Sequence, residues 1–272
     1  METPLHLRTP ALELHIDAEA TQTGYLRTSP ELHMKRLLCA DYPLTFQIGP
    51  CFRRGEKGDQ HQPEYSMLEF YRSPGDYVDI LRDTRELLLH CCEKVRGTTS
   101  IIFNRQIIDF AADWEILSAS KLFIEHAGWD PREHFDADRF NMDLVDKVEP
   151  VLPKDRPVIL KDFPAEQAAM AKLKNSDPRV AERWELYLGG MEIGNAYSEL
   201  LDKEAQRKRF ATWSAERVAS NRETYPLDEA FLEALDHAPD TAGGIAIGMD
   251  RLVMIFADKQ SLEDVLPFRD EP

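Results

Sequence analysis

Two apolar segments flank a short polar one early in the chain, a pattern that predicts two β-strands joined by a loop. The strands are predicted over residues 44–52 and 64–72, and the loop over 53–63. Short apolar runs bounded by turn residues predict further strands at 158–160, 184–188, 191–197 and 243–248. Gly189 and Gly190 supply the turn between two of these strands.

Helices are predicted where a capping residue precedes a periodic apolar segment. Ser29 is the predicted cap of a helix that has Pro30 in its first turn and continues through Leu38. Asp76 similarly precedes a helix that ends near Val95. The other helices are predicted at 113–127, 139–148, 202–220, 228–237 and 250–256. Hairpins mixed with helices indicate the α+β class, with an antiparallel sheet flanked by helices in a single domain over 1–272.

Composition is typical of a globular protein. The chain has 272 residues, 43% of them hydrophobic, and no run of about 18 apolar residues that could cross a membrane. The first residues carry no apolar stretch, so no secretory signal is expected. Four cysteines, with an adjacent pair and no CxxC, suit a reducing cytoplasm. The net charge of −16 disfavours a broad nucleic-acid interface, so tRNA is not an expected partner.

Arg53 and Arg251 are the candidate catalytic residues. Arg53 follows a predicted strand, and Arg251 lies in a helix that begins directly after a glycine-rich strand. Activation of a carboxylate by ATP builds negative charge at the α-phosphate, which the permanently charged, forked guanidinium suits. Tyr65 could offer a face to adenine, while His61 and Gln62 lie in the polar loop. The alternatives are a surface salt bridge for each arginine and a core position for the tyrosine.

Three glutamates recur seven residues apart, at Glu185, Glu192 and Glu199, with Asn195 between the last two. Acidic side chains within apolar strands are costly unless they are paired or bound to metal. Mg²⁺ carried by ATP phosphates needs few carboxylates, so it is the natural partner for two of them. The alternative is a set of edge-strand glutamates that face solvent.

Several segments resemble class II aminoacyl-tRNA synthetases of the lysyl-tRNA synthetase branch. The matching segments are residues 30–37, 189–200 and 241–251. Residues 162–169 resemble the family of lysyl-tRNA synthetase paralogues that modify elongation factor P. The resemblance implies a class II catalytic core, a cytoplasmic homodimer, and ATP with Mg²⁺. It also implies that (R)-β-lysine or lysine is activated as an adenylate and joined to a lysine of elongation factor P.

The resemblance also implies roles for individual residues. The expected ATP-binding residues are Arg53, Arg54, Gly55, Glu56, His61, Gln62, Tyr65, Glu192, Ile193, Gly248 and Arg251. The expected amino-acid-binding residues are Ser29, Pro30, Glu31, Tyr71, Asn195, Glu199 and Ala246. Glu185 and Glu192 are the expected metal ligands, and Glu199 with Tyr71 is expected to bind the terminal ammonium of a lysine-like side chain.

The chain departs from lysyl-tRNA synthetases in ways that bear on its acceptor. No anticodon-binding domain is expected. The helix that precedes residues 2–4 in the family's first conserved motif, and that forms much of the family's dimer interface, is not expected either. Ala246 stands where those enzymes usually have glycine, and Asp59 and Gln60 stand where relatives usually carry a basic residue. Two alternatives stay open: a stand-alone enzyme that charges tRNA, and a catalytically silent regulatory paralogue.

Overall fold

The described part of the chain contains eleven strands and seven α-helices, and seven of the strands form one large sheet. The computed structural model describes residues 2–10 and 13–268, so the remaining positions of the predicted domain, Met1, 11–12 and 269–272, lie outside the described residues. The strands are β1 (His6–Leu7), β2 (Tyr25–Leu26), β3 (Leu44–Phe52), β4 (Glu64–Arg72), β5 (Ser100–Phe103), β6 (Gln106–Asp109), β7 (Glu115–Ser118), β8 (Val158–Lys161), β9 (Arg183–Leu188), β10 (Met191–Ser198) and β11 (Gly243–Gly248). The α-helices are α1 (Glu31–Cys39), α2 (Tyr77–Arg96), α3 (Ala119–Leu122), α4 (Ala137–Asp143), α5 (Lys203–Ala219), α6 (Glu229–Ala234) and α7 (Met249–Phe256).

The large sheet has the strand order β3-β4-β11-β10-β9-β8-β7, and β1 with β2 and β5 with β6 form two small hairpins. Helices cover the sheet, which confirms the predicted α+β class. Every neighbouring pair in the large sheet is antiparallel except β7 with β8, so the sheet is mixed rather than wholly antiparallel. None of the helices in the described segments is long and apolar enough to cross a membrane.

The helix predicted over 113–127 is wrong in its first part. Residues Glu115–Ser118 form β7, which pairs in parallel with Val158–Lys161, and the helix begins only at Ala119. Pairing with a buried strand distant in sequence has overridden the local helical pattern. The helix predicted over 139–148 begins earlier, at Ala137, and ends in a π-helical turn over Leu144–Val148.

The strands and caps nearest the site agree closely with the prediction. β3 and β4 have the predicted bounds and pair from Leu44 with Arg72 to Phe52 with Glu64. Asp76 caps α2, because its side chain accepts hydrogen bonds from the backbone N–H groups of Val78 and Asp79. For α1 the cap differs by one residue. The N-cap is Pro30 rather than Ser29, although the Ser29 hydroxyl still accepts the Glu31 N–H at 2.9 Å.

The turn between β9 and β10 determines which side chains share a face of the sheet. Gly189 and Gly190 have φ values of 61° and 84°, the left-handed backbone of a two-residue hairpin turn that glycine adopts readily. A β-bulge then lies between Glu192 and Gly194. Strand residues alternate between faces, so the extra residue brings Glu192 onto the face of Asn195. Glu185 pairs directly with Asn195 and therefore shares that face.

The main apolar core lies on the opposite side of the sheet, under α2 and α7. Ile80 and Leu88 of α2 and Met254 of α7 pack there against Trp184 and Ile245 of the sheet. A second cluster joins α1, α5 and α6, and includes Leu32, Phe210 and Phe231. With one face of the central strands fixed by packing, the other face is left to line a cavity.

Candidate active site

A cavity of about 360 Å³ lies on the second face of the sheet. Side chains of β4, β10 and β11 line it, together with the loop 53–63 and Glu13 and Ile16 of the N-terminal segment. Most of the predicted site residues meet there: Ser29, Glu31, Arg53, Glu56, His61, Gln62, Tyr65, Tyr71, Glu185, Glu192, Ile193, Asn195, Glu199, Ala246, Gly248 and Arg251. Residues far apart in sequence therefore share one chamber.

Three predicted residues do not line the cavity. The guanidinium of Arg54 donates to Glu223 Oε2 at 3.0 Å, across an exposed surface. Gly55 occupies a turn with φ of 82°, and Pro30 forms the N-cap of α1. The backbone of Arg54 still contributes to the shape of the site, because its N–H donates to the Asp17 carbonyl and so ties the loop to the N-terminal segment.

Arg251 joins the loop 53–63 to the sheet. It lies in α7, immediately after β11, and its Nη1 donates to the Glu192 carbonyl at 2.9 Å. Its Nε donates to the Gln60 carbonyl at 3.1 Å, and its Nη2 lies 2.7 Å from His61 Nε2. Burial and the neighbouring Arg251 lower the pKa of His61, which suits a neutral ring whose Nε2 accepts this hydrogen bond.

Arg53 lies against Tyr65 at the same end of the cavity. Its guanidinium carbon is 5.1 Å from the Tyr65 ring centroid, and its Nη1 is 3.7 Å from Glu56 Oε1. The Arg53 Nε is buried and has no hydrogen-bond partner among the described residues. The Tyr65 hydroxyl donates to the Thr28 carbonyl at 3.1 Å, which holds the ring in place. This end of the cavity thus has an oriented cation with an unused donor.

The other end of the cavity is acidic and buried. Lys35 Nζ lies 2.6 Å from Glu31 Oε1 and 2.5 Å from Glu199 Oε2. The Oε1 atom of Glu199 is buried and accepts no hydrogen bond from the part of the chain that the structure describes. Burial raises the pKa of Glu199 to about 7, an effect that Lys35 opposes and Glu31 reinforces. A ligand cation at Oε1 would relieve this cost.

Glu69 is a cavity residue that the sequence reasoning missed. It is buried, and it accepts hydrogen bonds from the Ser29 hydroxyl at 2.6 Å and the Tyr71 hydroxyl at 2.7 Å. Burial is the main cause that raises the pKa of Glu69 to about 8, and the nearby Glu31 adds to it. A signal was present, because Tyr65, Glu69 and Tyr71 have the same parity on β4 and all line the cavity.

The carboxylates predicted to hold metal lie on neighbouring strands beside Arg183. Glu185 Oε1 accepts from Arg183 Nη2 at 2.5 Å, and its Oε2 accepts from the Tyr187 hydroxyl at 2.8 Å. Burial and the adjacent Glu185 raise the pKa of Glu192 to about 7, against the opposing effect of Arg251. Arg183 Nε also donates to Asn195 Oδ1 at 3.1 Å, which leaves the Asn195 amide N–H groups free to donate elsewhere.

The donor set at this position fits a divalent cation shared with a ligand. Within residues 2–10 and 13–268, no group of three or more His, Cys, Asp or Glu side chains could hold a metal ion by itself. Glu185 is buried and Glu192 half-buried, and Glu185 raises the pKa of Glu192, so a cation bound partly by phosphate oxygens would neutralise the charge between them. Two carboxylates with phosphate and water are a common set of ligands for Mg²⁺.

Other cavity residues escaped the sequence reasoning because no local pattern marks them. They include Glu13, Ile16 and Arg183, together with Lys35 behind the cavity wall. Arg183 shares its parity with Glu185 on β9, which is a weak signal. Lys35 lies one turn after Glu31 on α1, a spacing that allows the observed ion pair.

Known proteins resemble the chain over nearly its whole length. Residues 10–271 match the family described as tRNA synthetases class II (D, K and N). Relatives named Elongation factor P--(R)-beta-lysine ligase from Proteus mirabilis and Haemophilus influenzae are 35% and 36% identical to the chain. The alignments include 98% of the chain and 87% and 84% of the two relatives. A Lysine--tRNA ligase from Staphylococcus saprophyticus is 34% identical over 90% of the chain and 54% of its own length.

These matches confirm the resemblance that the motifs at 189–200 and 241–251 predicted. The family consists of ligases that use ATP. The matched region contains the large sheet and every residue that lines the cavity. The chain therefore belongs to the class II tRNA synthetase family (D, K and N) and carries its catalytic core.

Proposed function

We propose that this protein activates (R)-β-lysine with ATP and transfers it to a lysine side chain of elongation factor P. The relatives that carry this name match the chain over 84% and 87% of their own length. The structural observation that carries the proposal is the charge distribution along the cavity. Arg53 and Arg251 lie at one end, and the buried, unpartnered Oε1 of Glu199 lies at the other.

The arginine end is where the adenylate forms. A carboxylate oxygen of the amino acid attacks the α-phosphate of ATP, and pyrophosphate leaves. Arg53 stabilises the charge that develops on the α-phosphate and orients the attacking carboxylate, because its fork can hold both groups. Arg251 is already fixed to Glu192 and the loop, so it can meet the triphosphate without reorganisation. Tyr65 provides a face for adenine, with Glu56, His61, Gln62, Ile193 and Gly248 around the nucleotide.

The acidic end holds the amino groups. Glu199 Oε1 accepts from the terminal ammonium, and Tyr71 lies beside it as a second polar partner. Glu31 accepts from the amine nearest the substrate carboxylate, while Asn195 donates to that carboxylate through its free amide N–H. Ala246 lies between Asn195 and Glu69 in the strand register, where its methyl group narrows the cavity. These contacts make the cavity selective for a diamino acid.

The transfer step joins the activated amino acid to its acceptor. A neutral lysine amine of elongation factor P attacks the carbonyl carbon of the adenylate. An amide bond forms, AMP leaves with the bridging oxygen, and the amine releases a proton. Glu185 and Glu192 would hold Mg²⁺ at the phosphates, where the ion supplies charge neutralisation and orientation.

We further propose that the chain acts as one catalytic domain in a cytoplasmic homodimer. All four cysteines are free thiols, as a reducing compartment requires. The edge strand β3 exposes 73% of Leu44 and 55% of Ile48, apolar area that a second copy would cover. Light scattering after size exclusion tests this point. A mass near 31.3 kDa at micromolar concentration would refute the homodimer, whereas twice that mass would support it.

Pyrophosphate release tests the adenylation. Purified protein with ATP and Mg²⁺ is given (R)-β-lysine, α-lysine, or no amino acid. Release that depends on (R)-β-lysine, followed by a mass increase of elongation factor P on addition of the factor, supports the proposal. Absence of release with every amino acid, from protein with a cooperative thermal transition, refutes it.

A second candidate activity is the charging of tRNA with lysine. The relatives named Lysine--tRNA ligase favour it, at 34% and 32% identity over 90% and 89% of the chain. The net charge of −16 opposes it, because a broad acidic surface repels the phosphate backbone. Incubation with radiolabelled α-lysine, tRNA and elongation factor P together discriminates between the two acceptors.

A further inference from the structure

Glu13 places a carboxylate in the cavity from a segment outside the sheet. It lies half-buried in the cavity wall, on the N-terminal side of β2. Burial raises its pKa to about 7, and Arg53 and Glu31 are the charged groups that act on it most strongly. Glu13 therefore lies near both the arginine that would hold the substrate carboxylate and the glutamate that would hold an amine.

The backbone of this segment is fixed by a buried arginine from α5. Arg217 is fully buried, and its Nη1 donates to the carbonyls of Glu13 at 2.9 Å and Ile16 at 2.9 Å. Its Nη2 lies 2.5 Å from Asp17 Oδ1, and its guanidinium carbon is 5.0 Å from the Tyr225 ring centroid. A side chain on such a rigid support is suited to select a ligand geometry, because it does not have to be ordered on binding.

The carboxylate of Glu13 has no structural role that its contacts reveal. Its carbonyl oxygen serves Arg217, whereas its carboxylate takes part in no ion pair or hydrogen bond that the described residues show. Glu31 acts electrostatically on Glu13 and also on Glu199. The three carboxylates therefore line one cavity, and Glu31 lies near enough to each of the other two to act on its charge.

We infer that Glu13 is a specificity-determining residue, which together with Glu31 binds the substrate amine nearest the reacting carboxylate. Two carboxylates around one ammonium give charge-assisted hydrogen bonds that fix its position relative to Arg53. An amino acid without an amine at that end would leave the Glu13 carboxylate unpaired and Glu31 with Lys35 as its charged partner. The inference rests on the proposed function and adds a residue to its amino-acid site.

The test compares two ligands in wild type and Glu13→Gln. One ligand is (R)-β-lysine, and the other is 6-aminohexanoic acid, which keeps the carboxylate and the terminal ammonium but lacks the near amine. ATP–pyrophosphate exchange gives KM for (R)-β-lysine, and competition in the same assay gives Ki for 6-aminohexanoic acid. We expect E13Q to raise KM by about 10-fold to 100-fold and to leave Ki and the KM for ATP within twofold.

Glu19→Gln is the matched control, because Glu19 is an exposed carboxylate of the same segment that does not line the cavity. An equal rise of KM and Ki would overturn the inference, since it would make Glu13 a partner of Arg53 alone. An unchanged KM would overturn it too. If E13Q unfolds, Glu13→Ala is measured in the same way. Exchange absent from wild type with every amino acid would refute the proposed function and this inference together, whereas active wild type with unchanged E13Q refutes only the inference.

Discussion

The ammonium nitrogen of Lys35 lies 2.5 Å from Oε2 of Glu199, and neither side chain is more than 1% exposed. The protein therefore holds one of its own lysine side chains against the carboxylate proposed to receive a substrate ammonium. Burial opposes the charge of Lys35, but Glu199 and Glu31 outweigh it and raise the lysine pKa. Oε2 of Glu199 is ion-paired with Lys35, and Oε1 is left for a ligand.

We expect Lys35→Met to lower the free energy of unfolding by about 3–5 kcal/mol, because two buried carboxylates lose their shared cation. Urea denaturation followed by circular dichroism measures the change. Lys203→Met is the control, since Lys203 pairs with Asp236 on an exposed surface and its loss should cost about 1 kcal/mol or less. Equal effects of the two substitutions would contradict the role given to Lys35.

Gly244→Ala should abolish amino-acid binding and destabilise the fold. An added Cβ would lie 2.5 Å from Glu199 Oε1 and 2.3 Å from the Tyr71 ring, so both side chains would have to move. We expect a loss of about 1–3 kcal/mol in unfolding free energy, typical of overpacking, and no measurable saturation with (R)-β-lysine. Gly58→Ala is the control, because its Cβ would meet no atom within 4 Å. Normal KM values in G244A would show that the two side chains adjust freely.

The carboxyl of Glu69 should make stability fall as pH rises. Its pKa is raised to about 8 in the folded state, above the ordinary value of 4.5. The folded state therefore binds more protons than the unfolded state between these two values, and unfolding free energy declines across that window. The decline contributed by Glu69 is at most about 1.4 kcal/mol per pH unit.

Urea titrations of wild type and Glu69→Gln from pH 5 to pH 8.5 measure this contribution. We expect wild type to lose stability relative to E69Q as pH rises. Glu13, Glu192 and Glu199, with pKa values raised to about 7, add slopes of the same sign that both proteins share. Glu64→Gln, at the exposed start of the same strand, should follow wild type. Parallel curves for wild type and E69Q would be inconsistent with the raised pKa.

Arg217→Met should detach the N-terminal segment from α5. The guanidinium satisfies the carbonyls of Glu13, Leu14, Ile16 and Glu223, which would lose their buried partner. We expect a loss of at least about 3 kcal/mol in unfolding free energy, with loss of amino-acid-dependent exchange. Differential scanning fluorimetry and the exchange assay measure these effects. Arg207→Met, which breaks only a surface pair with Glu229, should lower the unfolding free energy by about 1 kcal/mol or less and leave the exchange activity unchanged.

Local sequence signals predicted the elements that depend on near neighbours. The bounds of β3 and β4 and the cap of α2 at Asp76 agree with the structure, because turn residues and capping side chains act within a few positions. The helix predicted over 113–127 is wrong at Glu115–Ser118, because this segment becomes a strand only through its pairing with β8. The alternation along β4 places Glu69 on the cavity face, but its hydrogen bond with Ser29, 40 residues away, exists only in the folded chain.

The sequence by itself determined the family, the α+β class and most side chains of the cavity, because the motifs around Arg53, Glu199 and Arg251 retain their order along the chain. The tertiary structure alone decided how those side chains are charged and partnered. The bulge after Glu192 turns that carboxylate towards the cavity, and α1 brings Lys35 against Glu199. The segment of Glu13 is held by a residue 204 positions away. Such contacts depend on packing between distant parts of the chain, which local patterns do not encode.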